Sequence, residues 1–120
     1  MNGRIYYRKL IRDNIPDKIA KEGSECETRV LSEEEFKKKL RRKVVEEASA
    51  IPVVETRDEL IDELADLHAV IEALKEREGV TDTDMDKAIE QNMLKKGGFT
   101  KRLFLEWSSD SGYKSNEKIQ

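Results

Sequence analysis

The sequence predicts a mainly α fold, an antiparallel helical bundle completed by oligomerisation, with short extended segments at the ends. Three observations lead there. Ser32 with Glu35, and Thr56 with Glu59, each carry the spacing of a capping box, in which a hydroxyl and a carboxylate satisfy the free N–H groups of a helix start. Leu60, Leu64, Leu67, Ile71 and Leu74 alternate spacings of four and three, the seam of tightly paired helices. The 120 residues are 41% charged and only 37% hydrophobic, which favours thin helical layers finished by another copy over a thick two-sided core.

Taken in order, residues 1–12 form a basic, partly apolar arm, mixing Arg4, Arg8, Lys9 and Arg12 with Ile5, Tyr6, Tyr7, Leu10 and Ile11. Pro16 suits the first turn of a short helix that Gly23 ends. Glu25 to Val30 alternates loosely and predicts a short strand. The first capping box opens a helix to about Ala50, with Phe36, Leu40, Val44 and Ile51 along one side. Pro52 disfavours helical backbone at Ile51, and a turn follows to Thr56. The second box starts the longest helix, through about Glu78, closed by Gly79. Thr81 to Asp84 offers caps for a third long helix reaching Lys96, which Gly97-Gly98 breaks. Phe99 to Trp107 predicts a short strand returning toward the core. Residues 1–107 are therefore expected as a single helical domain, and 108–120 as a polar, disordered tail.

Composition narrows the function classes. A net charge of −3 and a pI of about 5.4 offer no general attraction to nucleic acid or anionic membrane. Cys26 is the only cysteine, so neither a disulfide framework nor a cysteine metal knuckle is available. With no secretory-type apolar stretch and no run near the ~20 apolar residues of a membrane span, a cytoplasmic setting is expected.

The chemistry lies in carboxylates placed where helices should bury leucine. At about 100° per residue, and with Leu60 at zero, Glu63 falls near 300°, inside the apolar sector, and Asp66 falls near 240°, at its rim. With Phe36 at zero on the preceding helix, Glu47 lands near 20°, among the apolar residues, and Glu46 near 280°, at their edge. An uncompensated charge on an apolar face is costly, so such residues call for a cation. The short link favours an antiparallel pair, which lets the acids converge at one level. Oxygen ligands from facing helices are how bundles hold hard divalent ions. In so charged a chain, acids also simply line solvated helix faces, a reading that fits Glu46 better than Glu47, Glu63 and Asp66.

These residues resemble a known family. Glu46-Glu47, followed by Glu63-Leu-Ala-Asp66, resembles the two-part acidic motif of MazG-type nucleoside triphosphate pyrophosphohydrolases, Glu-Glu-x-x-Glu on one helix and Glu-x-x-Asp on the next. The segments from Lys9 to Pro16 and from Lys96 to Glu106 resemble the two ends of a phosphoribosyl-ATP pyrophosphohydrolase-like subgroup, so the likeness spans about residues 5–106 in order. It implies an all-α bundle, a homodimer or homotetramer, and Mg²⁺ (or Mn²⁺) held by Glu47, Glu63 and Asp66. It also implies a nucleotide substrate cleaved to monophosphate and pyrophosphate, with removal of damaged or surplus nucleotides as the purpose. The third glutamate of the first half-motif falls on Ala50, which cannot bind metal; water, Glu46 or Glu55 would have to serve there, or activity is lost.

In this reading Glu46, at the edge of its helix, orients or deprotonates the attacking water. Lys9, Arg12, Lys96, Lys101 and Arg102 are candidate substrate-binding residues for phosphate, with ordinary surface charge as their alternative. Gly97-Gly98 either admits a phosphate to backbone N–H groups or merely ends a helix. Asp13 is expected as a helix cap or a partner for Arg12, and His68 in a structural or solvent-exposed place. Cys26 is expected to be inert, and Phe99, Phe104 and Trp107 to be core or interface residues. Phosphoribosyl-ATP cleavage and an inactive nucleotide-binding or dimerisation module remain the alternatives.

Overall fold

In the computed structural model, residues 3–109 are described. They form helices α1 (Ile15–Lys21), α2 (Glu33–Ala50), α3 (Arg57–Glu78) and α4 (Asp82–Lys96), with one 3-10 turn at Ile51–Val53. No strand occurs among the described residues. The chain divides into two compact units, one running to Asp82 and the other from Thr83.

Local chemistry sets the helix ends in the first unit. Ser32 Oγ accepts from the Glu35 N–H at 3.2 Å, and Thr56 Oγ1 accepts from the Glu59 N–H at 3.1 Å. Both are true N-caps, but the reciprocal half of each box is diverted. The Glu35 carboxylate pairs with Arg29 at 3.0 Å, and the Glu59 carboxylate accepts from the Glu55 N–H at 3.4 Å instead of from its own cap residue. Gly79 ends α3 in the left-handed region at φ +69°, where a side chain is strained, and the Val80 N–H folds back to Lys75 O at 2.9 Å. Pro16 lies in the first turn of α1, where a missing N–H costs no helical bond.

α2 and α3 run antiparallel. Arg77 of α3 reaches Glu33 at the start of α2 (3.5 Å), whereas Glu63 and Asp66, early in α3, meet Glu47 late in α2. Leu40, 3% exposed, and Val70, 6% exposed, are the buried apolar residues between them. At about 1.5–3 kcal/mol each, they make a thin core, and exposed ion pairs such as Arg41–Glu78 add little.

Several expectations are corrected. Glu25–Val30 and Phe99–Trp107 are not strands: both are exposed, and among the described residues neither has a strand beside it to pair its backbone groups, without which alternation alone cannot hold a strand. Phe99, Phe104 and Trp107 are exposed, so they are not core residues of this chain. Ile51 keeps helical backbone (φ −61°, ψ −46°), because Pro52 sits in the first turn of the 3-10 segment, where its ring is tolerated. On α3 the side nearest α2 carries Glu63 and Val70. Leu64 of the expected seam is half-exposed, as is its neighbour Ile61.

The second unit begins within α4, whose last turn carries Lys95 and Lys96 at the negative end of the helix dipole. The Gly97 N–H donates to Met93 O at 2.9 Å and the helix stops there, at the expected place. Among the described residues, no helix is long and apolar enough to cross a membrane. Most of the expected tail, residues 110–120, lies outside the described residues.

Candidate metal centre

Antiparallel pairing carries Glu47 on α2 to the level of Glu63 and Asp66 on α3. One carboxylate oxygen from each lies within 4.8 Å of the other two, and all three residues are partly buried. Glu63 and Asp66 are three apart on one helix and so share a face, while Glu47 enters from the facing helix.

The donor chemistry fits a hard divalent cation. At metal–oxygen distances of about 2.0–2.1 Å, ligand oxygens around an octahedral ion stand roughly 3–4 Å apart, so small side-chain rotations would close the set. Three carboxylates leave the remaining positions to water or substrate oxygens. Ala50, one turn beyond Glu47, brings no oxygen from its side chain. Glu55 is exposed and outside the cluster, and Glu46 is already engaged by lysines.

Two of the three acids, Glu47 and Asp66, line a cleft of about 730 Å³ within the first unit, together with Lys9, Arg12, Lys18 and Lys43. Two of the sequence-predicted cations therefore reach the acids. Lys9 Nζ lies 3.6 Å from Glu46 Oε1 and over the Tyr7 ring, and Arg12 Nη1 lies 3.5 Å from Asp66 Oδ1. Lys96, Lys101 and Arg102 belong to the second unit and are exposed.

Lys43 is the residue that sequence reasoning missed. It is 9% exposed, and its ammonium lies 3.0 Å from Glu46 Oε1 and 3.5 Å from Glu47 Oε1. The signal was available: on the projection that places Glu47 near 20°, Lys43 falls at about 340°, a second charge inside the apolar sector. The hydrogen bond from Lys43 holds the Glu46 carboxyl below the usual glutamate range, with the charge of Lys9 adding to it and partial burial opposing it. Glu46 is thus a firmly ionised carboxylate and a weak base, better suited to orienting a water than to taking its proton.

Asp13 lines the cleft, but Asn14, not Asp13, occupies the N-cap position of α1. His68 is solvent-exposed, 3.9 Å from Glu72. No family model, curated protein or solved structure matches the chain.

Proposed function

We propose that the protein is a Mg²⁺-dependent nucleotide pyrophosphohydrolase that cleaves a nucleoside triphosphate or related nucleotide to monophosphate and pyrophosphate. The observation that carries this reading is the meeting of Glu47, Glu63 and Asp66, the first and last of which line a cleft also lined by cations. A hard divalent ion held by these carboxylates would supply positive charge to polarise phosphate oxygens and stabilise the leaving pyrophosphate. Lys9 and Arg12 neutralise further phosphate charge, and Glu46 aligns a water through its anionic oxygen. The water oxygen bonds to phosphorus, the phosphoanhydride bond breaks, and the released proton passes to solvent. Mn²⁺ is expected to replace Mg²⁺.

The chain is further proposed to work in the cytoplasm as a homodimer or homotetramer. The half-exposed Ile61 and Leu64 on α3, beside so thin a core, support assembly of two or more copies. Light scattering in solution tests it, and a stable monomer would contradict it.

Pyrophosphate release across ribo- and deoxynucleoside triphosphates and phosphoribosyl-ATP, with and without Mg²⁺, tests the activity. Turnover confined to phosphoribosyl-ATP would move the reading to histidine synthesis. Ala50 favours a second reading, an inactive module that binds nucleotide or only dimerises. That reading wins if the protein turns over none of these substrates while Ala50→Glu creates activity.

A further inference from the structure

Lys43 has a charge where α2 otherwise turns apolar and acidic groups inward. Its four-carbon stem is buried, so the ammonium cannot swing out to bulk water as a surface lysine does. Instead it bridges neighbouring carboxylates, 3.0 Å from Glu46 Oε1 and 3.5 Å from Glu47 Oε1, and lines the same cleft as Asp66. Glu47 in turn gathers with Glu63 and Asp66, one carboxylate oxygen of each lying within 4.8 Å of the other two. Lys9 and Arg12 also touch this group, but both are substantially exposed and can withdraw.

We propose that Lys43 is a tethered counterion of the acid cluster, a positioning residue that holds Glu47 while no divalent ion is bound and competes with that ion for it. This rests on the metal-binding part of the function proposed above. The physical reason is like-charge repulsion. A dication coordinated by Glu47 finds an ammonium on the same carboxylate, and the buried stem gives that ammonium little room to retreat except toward Glu46. Lys43 therefore lowers the intrinsic affinity of the cluster for the ion. In return it spares the ion-free protein the repulsion among closely placed carboxylates. The two effects have opposite signs, and that separates this role from simple packing.

The test compares the full-length wild type, stripped of metal, with Lys43→Met, which keeps the length and apolar stem, and Lys43→Arg, which keeps the charge. Free Mn²⁺ is followed by electron paramagnetic resonance during titration, and thermal unfolding is followed by circular dichroism with chelator and with Mn²⁺. Lys43→Met is expected to bind Mn²⁺ about tenfold more tightly, a screened estimate for removing one charge next to a dication. It is also expected to melt earlier in chelator and to gain more from Mn²⁺ than wild type does. Lys43→Arg should track wild type in both. Should the methionine variant fail to fold, Lys43→Gln carries the same expectations. Unchanged or weaker Mn²⁺ binding in a folded, charge-free variant overturns the role of Lys43 alone. If neither wild type nor variant takes up Mn²⁺, the metal site itself is overturned, and this proposal with it.

Discussion

Arg12 and Asp66 stand 54 positions apart in the chain, yet Arg12 Nη1 lies 3.5 Å from Asp66 Oδ1. The contact ties the basic arm before α1 to the acidic face of α3. Both side chains are about half exposed or more, so the pair is worth about 0–1 kcal/mol of stability. Its importance is in placement: a cation that can turn to phosphate stands beside a carboxylate that can turn to metal. Asp66→Asn keeps the shape but loses the ligand charge. It is expected to cut Mg²⁺-dependent turnover at least a hundredfold and shift unfolding free energy by less than about 1 kcal/mol. Arg12→Ala is expected to raise the nucleotide KM about tenfold with kcat less affected. Steady-state kinetics beside urea unfolding checks both.

Ala50 follows Glu47 by three residues, so the two lie on one face of α2. Ala50→Glu brings a fourth carboxylate to that face. About tenfold tighter Mn²⁺ binding is expected, measured by isothermal titration calorimetry. No change in affinity would mean that the new side chain turns to solvent.

Glu46 gives the protein a specific sensitivity to acid. Its folded pKa is depressed, first by the Lys43 hydrogen bond, against an ordinary value of about 4.3. The folded state therefore binds the Glu46 proton less readily than the unfolded state. The stabilisation is fully present above that ordinary value and is lost as pH falls through the lower folded one. Glu46→Gln is expected to show a smaller loss of stability on acidification than wild type, read from urea midpoints at pH 7 and well below the ordinary glutamate value, at about pH 3. Equal losses in the two proteins would mean that the pair is not coupled to folding.

The ends of α3 offer a test of the fold that leaves the cluster untouched. Thr56→Ala removes the side-chain acceptor of the Glu59 N–H and is expected to cost about 1 kcal/mol. Gly79→Ala meets no steric contact, so its cost is backbone strain alone, about 1 kcal/mol, from a residue held at φ +69°. The changes are distant and should add in the double variant, measured by thermal unfolding.

What the sequence determined by itself was local or periodic. Ser32, Thr56 and Gly79 mark helix ends because caps act over three or four residues, and those positions hold in the structure. Glu47, Glu63 and Asp66 stood out by angle on their helices, and a short antiparallel link suffices to bring such angles together. Tertiary structure alone decided the rest. Whether Glu25–Val30 or Phe99–Trp107 forms a strand depends on a partner elsewhere in the chain, and none is present among the described residues. That α3 buries Val70 while Leu64 stays half-exposed depends on the rotation of one helix against another, which a leucine repeat does not specify. The lysine among the acids was visible as a charge on the inner face. Its meeting with Glu46 and Glu47 depends on packing that confines a flexible side chain to one end point.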